Sequence, residues 1–375
     1  MSLIDSKIDP NGLLEYSVVF TDRSLNHMSQ SFQDVMRGLN HGLTNVYGAA
    51  SCIIVPGGGT FAMESVARQF ARNESVLIIR NGWFSYRWTQ IFDQGNTTNH
   101  AEVARAIPSN TSAEQQFAPM PVDSICQEIR TNKPRLVVGP QVETSAGLLL
   151  PDNYIKQVAE AAHEAGAIFV LDCVAAGALW VDMRSLGVDV LITAPQKGWT
   201  ATPCAGVIML SELAIARLSE TESDSFALDL KRWDGIMRAY LNGGHAYHAT
   251  LPTDGLATFH QAYLEMVDIG IDSLKARQIK LGVSVRNMMN EFGFKSLAAD
   301  GFQSPTVVVC HTTRDDLKNG SAFAAAGLQI AAGVPLQCGE SDDLKTFRIG
   351  LFGIDKLMNE DRTLTHLRDC LKKIT

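Results

Sequence analysis

The sequence predicts an α/β protein, with a large domain built on a mostly parallel sheet between helices and a smaller C-terminal domain. Three observations carry this. Strand-like apolar runs alternate with helical periodicity from about residue 50 to 210, the pattern of βαβ units. After about residue 256 a long helical pattern begins and the alternation changes its spacing. Two of the apolar runs end in polar groups: 167–172 closes on the carboxylate of Asp172, and 188–197 closes on the amine of Lys197, 25 positions later. Ligands of open α/β sheets bind at the carboxyl ends of strands.

Taken in order, Cys52-Ile53-Ile54-Val55-Pro56 reads as a strand, and Met63, Val66, Ala67 and Phe70 then fall on one helical stripe. Residues 75–79 and 136–139 read as further strands. A helix opens near Pro151-Asp152 with Ile155, Val158, Ala159 and Ala162 inward; Pro151 suits a first turn and Gly166 an exit. The polar stretch 219–234 reads as a surface loop or linker, Asn242-Gly243-Gly244-His245 breaks the chain again, and a helix starts near Leu256. These signals divide the chain into an N-terminal arm over 1–20, a large domain over 21–255 and a small domain over 256–375.

A net charge of −8 and a pI near 5.6 give no basic footprint, which argues against a nucleic-acid partner. The seven cysteines are odd in number and mostly set in apolar runs, as expected of reduced core thiols rather than a disulfide framework. Acidic and polar residues interrupt the first positions where a secretory segment needs an apolar block, no run approaches a membrane span, and the last three residues are not a peroxisomal signal. The expected location is the cytoplasm.

A lysine and an aspartate at neighbouring strand ends are what pyridoxal phosphate needs. The amine forms a Schiff base, and the anion keeps the pyridine nitrogen protonated so that the ring acts as an electron sink. The loop Pro56-Gly57-Gly58-Gly59-Thr60 lies between a strand and an amphipathic helix, where it reads either as a plain turn or as a phosphate cradle at a positive helix end. His245 and His248 lack the carboxylate motif of a metal site, so structural roles are expected and no metal is.

The stretches Asp172-Cys173-Val174-Ala175-Ala176-Gly177 and Ala194-Pro195-Gln196-Lys197-Gly198-Trp199 resemble the cofactor signature of class V, fold type I, pyridoxal-phosphate enzymes. The resemblance is to the alanine–glyoxylate and serine–pyruvate aminotransferase branch and runs from about 20 to 355; it implies the α/β fold type I architecture, a large domain with a mostly parallel, seven-stranded type of sheet between helices and a smaller C-terminal α+β domain. It implies that Lys197 bonds the cofactor, that Asp172 faces the ring nitrogen, and that Gly58, Gly59 and Thr60 hold the phosphate with Gln196 nearby. It also implies that Phe84 lies against one face of the ring, Trp83 being the alternative, and that Val174 packs beneath it. A hydroxyl near the phenolic oxygen falls to Thr144 or to its neighbour Ser145. Tyr247 and Thr250 match a segment that reaches across a two-fold axis to the partner's cofactor, so a homodimer with shared sites is implied. The arginine of Phe347-Arg348-Ile349-Gly350 matches the group that binds the substrate carboxylate, for which a guanidinium fork is suited.

The chain departs from the pattern near its start, where Thr21-Asp22-Arg23 stands in place of a Gly/Pro turn beside the substrate. Arg23 then either meets a second anion on the substrate or pairs with Asp22 or another surface carboxylate. The implied activity is ping-pong transfer of an amino group from a small amino acid to a 2-oxo acid such as glyoxylate or pyruvate. The rivals are another class V reaction, such as a cysteine desulfurase using Cys338, a lyase or a kynureninase-like hydrolase, and a non-catalytic cofactor-binding protein.

Overall fold

The computed structural model describes residues 9, 12–19, 22–109 and 114–375. Its main sheet has seven strands, β1 (Ser51–Pro56), β2 (Ser75–Arg80), β3 (His100–Arg105), β4 (Leu136–Pro140), β5 (Ile168–Asp172), β6 (Val190–Thr193) and β7 (Ala205–Leu210), in the order β1-β7-β6-β5-β4-β2-β3. Only β7 runs against its neighbours. The mostly parallel sheet expected from the sequence is present. Strands β4, β6 and β7 are buried along their whole length, which is why they read as unbroken apolar runs rather than as alternating patterns.

The helices used below are α1 (Gln30–Tyr47), α2 (Gly59–Phe70), α3 (Trp83–Gly95), α4 (Asp152–Glu164), α5 (Glu212–Glu220), α6 (Leu230–Leu241), α7 (Thr253–Ile269), α8 (Ile271–Glu291) and α9 (Glu360–Ile374). The expected stripes are inward: Met63, Val66, Ala67 and Phe70 on α2, and Ile155, Val158, Ala159 and Ala162 on α4, are buried. Pro151 sits one position before the first turn of α4, where its carbonyl accepts from Tyr154 and Ile155. Gly166 leaves that helix at φ +77°, a conformation that favours glycine.

Two readings are corrected. The stretch 219–234 is not one loop: α5 runs through Glu220, and α6 begins at Leu230 because the Asp229 carboxylate accepts from the Lys231 and Arg232 amides. Helix α7 begins at Thr253 rather than near Leu256: the inward face opens on the polar Thr253, and its apolar stripe starts only at Leu256. Helix α7 packs on α1, whereas α8 packs on α9 and on a small antiparallel sheet. That sheet has β8 (Val307–His311), β9 (Ala331–Ala332) and β10 (Thr346–Gly350), with β10 central. All seven cysteines are free and buried, and among the described residues no helix is long and apolar enough to cross a membrane.

Asp189, 2% exposed, ties three layers together. Its Oδ2 accepts from the Phe169 amide of β5 and lies 2.9 Å from His163 Nε2 on α4, while its Oδ1 accepts from the Ser211 hydroxyl that caps α5. The hydrogen bond to Asp189 raises the His163 pKa above the ordinary 6.5 despite partial burial. A raised histidine contributes stability that is fully present below its unfolded pKa and is lost as pH rises through the folded one. His163→Gln is therefore expected to lower Tm most below about pH 6.5 and progressively less above it. A Tm deficit that does not change between acidic and alkaline buffers contradicts this.

Candidate active site

The C-terminal edge of the sheet gathers the groups singled out in the sequence. Asp172 is the last residue of β5, and the Val174 amide donates to its Oδ1 at 2.9 Å. Burial pushes its carboxyl up to about 6; the Val174 amide opposes this, nearby Glu143 adds to it, and Arg87 opposes it. Lys197 is not at the strand end itself. Strand β6 stops at Thr193, Pro195 has no N–H to extend a ladder, and the chain turns so that Ala201 donates back to Pro195 and Thr200 to Lys197. The Lys197 amine stands 5.4 Å from the Phe352 ring centroid, and burial, with Arg348 nearby, lowers its pKa. Depression of this kind favours the neutral amine.

Between β1 and α2 the glycine loop approaches the same space. Gly57 has φ +122°, and a Cβ on Gly59 would lie 2.6 Å from Val174 Cγ2, so the loop packs against the residue two positions after Asp172. Helix α2 begins with Gly58 as its N-cap and has no side-chain cap; the Phe61 amide donates to the Gly58 carbonyl, and the Gly59 and Thr60 amides have no acceptor among the described residues. The side-chain nitrogen of Gln196 lies beside Gly58, and its buried Oε1 has no hydrogen-bond partner among the described residues. A glycine cradle, an uncapped helix end and the Gln196 side-chain nitrogen beside Gly58, a donor, fit a bound phosphate group. A depressed lysine and a carboxylate fit the pyridine ring attached to it.

Phe84, in the first turn of α3, carries the Arg87 guanidinium 5.5 Å and the Arg348 guanidinium 5.4 Å from its ring centroid. Trp83 turns instead onto Tyr86, at 5.7 Å. Arg348 lies on β10 and donates through Nε to the Ala332 carbonyl of β9 at 2.8 Å, which fixes one edge of its fork. Among the described residues its two terminal nitrogens make no hydrogen bond.

Glu143 has no exposed surface. Its carboxylate accepts five hydrogen bonds, from the amides of Phe84, Ser85 and Ser145 and from the hydroxyls of Ser85 and Ser145. The Ser145 hydroxyl also accepts from the Trp83 amide at 2.9 Å, so it is fully engaged in the wall. Thr144 is partly exposed and its hydroxyl has no partner among the described residues.

The remaining predicted residues lie apart within the single chain. Tyr247 and Thr250 are exposed and face each other, their hydroxyls 3.2 Å apart. His248 is held by the Phe226 carbonyl and lies against Trp233, while His245 sits edge-on to His27. Arg23 is exposed and forms no salt bridge among the described residues, so the expected pair with Asp22 is absent there; Phe20 and Thr21 lie outside them. Cys338 is buried, donates to the Arg80 carbonyl at 3.4 Å, and burial pushes its thiol up to about 12. Such a thiol is a poor nucleophile.

Sequence reading missed Glu143, Ser85, Arg87 and Phe352. Arg87 had a signal, since it follows Phe84 by three positions on a helix and so shares its face. Glu143 and Ser85 pair across 58 positions, and no local pattern reports that.

A class-V aminotransferase family profile matches residues 13–338, and the chain belongs to that family. It is an enzyme of the aminotransferase kind. Over 338 residues it is 29% identical to a 2-aminoethylphosphonate–pyruvate transaminase of Paraburkholderia phymatum, covering 88% of this chain and 84% of that one. It is 26% identical over 313 residues to the 2-aminoethylphosphonate–pyruvate transaminase of Pseudomonas aeruginosa strain PAO1, covering 82% and 78%. Its fold is similar to an alanine–glyoxylate aminotransferase of Nostoc sp., with TM-score 0.76, 19% identity and coverage of 93% of this chain and 89% of that one. The ureidoglycine–glyoxylate aminotransferase of Bacillus subtilis follows with TM-score 0.75, 19% identity and coverage of 92% and 86%.

Glu143→Ala leaves the donors of Phe84, Ser85 and Ser145 without their acceptor in a buried wall. Loss of about 3 kcal/mol of unfolding free energy is expected, measured by urea denaturation. A loss below about 1 kcal/mol contradicts the role given to this carboxylate.

Proposed function

We propose that the protein is a pyridoxal-phosphate-dependent transaminase that moves an amino group from a small donor amine bearing an anionic head to a small 2-oxo acid such as pyruvate or glyoxylate. The observation that carries this is the convergence of a depressed lysine, a buried carboxylate and an uncapped glycine cradle around Phe84. When bound, the cofactor supplies an aldehyde carbon and an electron sink. Lys197 would provide the amine that holds it and a base that moves the proton at the donor's amine-bearing carbon; its lowered pKa suits both tasks. Asp172 provides the anion opposite the ring nitrogen. Gly58, Gly59, Thr60 and Gln196 hold the phosphate, Phe84 and Val174 enclose the ring, and Thr144 rather than Ser145 offers a hydroxyl, because that of Ser145 is engaged by Glu143 and Trp83.

Arg348 binds the donor's anionic head through the two terminal nitrogens that the Ala332 contact leaves available. The same fork matches a carboxylate and a phosphonate, and the relatives named for 2-aminoethylphosphonate support including the latter. A homodimer completes the site: Tyr247 and Thr250 are exposed and preorganised, as expected of groups directed to the partner's cofactor phosphate. Arg23 is retained as a candidate for a second substrate anion. The reading keeps a large cofactor domain over 21–255, a small domain over 256–375 and a cytoplasmic location, for which seven free cysteines are suited. The desulfurase alternative is disfavoured by the buried, hydrogen-bonded Cys338.

The test is a donor panel of alanine, serine and 2-aminoethylphosphonate against pyruvate and glyoxylate, with pyridoxal phosphate added and the new amino acid measured. Turnover with at least one pair is expected. Arg348→Ala is expected to lower kcat/KM for every active donor by on the order of 10²-fold. Absence of amino transfer with all donors, or an Arg348→Ala variant with unchanged kinetics, contradicts the reading.

A further inference from the structure

Resting on the cofactor reading above, we propose that Arg87 is a cofactor-binding residue, a guanidinium that α3 supplies to the phosphate cradle at the start of α2. Three observations place it there. Its Nη1 donates to Thr60 Oγ1 at 2.9 Å, and Thr60 lies in the first turn of α2. Its guanidinium stands 5.5 Å from the Phe84 centroid, so it shares the space of the aromatic ring that bounds the site. Its charge also stabilises the Asp172 carboxylate, so it lies within electrostatic reach of the opposite end of the cofactor pocket.

The electrostatics give this placement a purpose. A helix N-terminus carries a partial positive charge on its unbonded amides, and α2 has glycine at its N-cap with no acidic residue in its first turn. Arg87 adds a full positive charge beside it and forms no salt bridge among the described residues. Two positive groups set together without an anion repel, and a dianionic phosphate turns that repulsion into attraction. Thr60 serves both partners. Its oxygen accepts from Arg87, which leaves its own hydroxyl proton to donate outward to a phosphate oxygen. The cation therefore comes from the same chain as the cradle, ahead of any group the partner subunit contributes.

The experiment compares wild-type apoprotein with Arg87→Gln for binding of pyridoxal phosphate and of pyridoxal, which lacks the phosphate, followed by absorbance and by quenching of tryptophan fluorescence. The expected result is a pyridoxal phosphate Kd raised at least about 10-fold in the variant. The pyridoxal Kd is expected to stay within about twofold, which also reports that the variant pocket is intact. Equal weakening of both ligands would show that Arg87 acts by holding Phe84 or α3, and an unchanged pyridoxal phosphate Kd would show no role; either overturns the assignment alone. Wild-type protein that binds neither compound overturns the cofactor reading, and this assignment with it.

Discussion

A carboxylate with no exposed surface lies between the end of β4 and the start of α3, and three backbone amides and two hydroxyls hold it there. Burying an ion is costly unless every lone pair is engaged. Glu143 meets that condition by serving as the cap that glycine at the head of α3 cannot provide. The consequence reaches beyond α3 itself. Phe84 rides on the first turn of this helix and Arg87 follows on the same face one turn later, so the aromatic wall beside Arg348 and the cation beside Thr60 are both positioned by one buried group. Side chains that must be held to fractions of an ångström are best placed by such a fixed shell.

Charge is distributed unevenly around that wall. Arg87 lies toward the glycine cradle and Asp172, while Arg348 lies toward Lys197 and the small-domain sheet. Burial and then the second arginine lower the lysine pKa, and the first arginine favours the ionised form of Asp172 against the burial that raises it. Two cations flanking one ring thus support opposite requirements, a neutral amine on one side and an anion on the other. Each also has guanidinium nitrogens beyond its one hydrogen bond, which the proposed reading assigns to the cofactor phosphate in one case and to the substrate anion in the other.

Much of this was legible before any coordinates. Strands β4 to β6 and the α2 and α4 stripes were plain because both sheet faces are covered and their apolar runs are unbroken. Asp172 and Lys197 stood out because each follows such a run, although a proline-led turn separates the lysine from its strand. The start of α6 was hidden inside a polar stretch, since a capping aspartate reads like any other surface acid until its amide partners are seen. The choice between Thr144 and Ser145 was closed to sequence as well. The proposed choice rests on the engagement of the Ser145 hydroxyl by Glu143 and by the Trp83 amide, 62 positions away. Arg87 and Glu143 owe their importance to partners brought together by the sheet rather than to any motif.

The central claim is that the turn after β6 presents the amine to which the cofactor is joined. Reduction of the pyridoxal phosphate-loaded protein with borohydride, followed by proteolysis and mass spectrometry, tests it most directly. The account requires one pyridoxyl-phosphate adduct per chain, located on Lys197. A stable adduct on another lysine, with Lys197 unmodified, would contradict it.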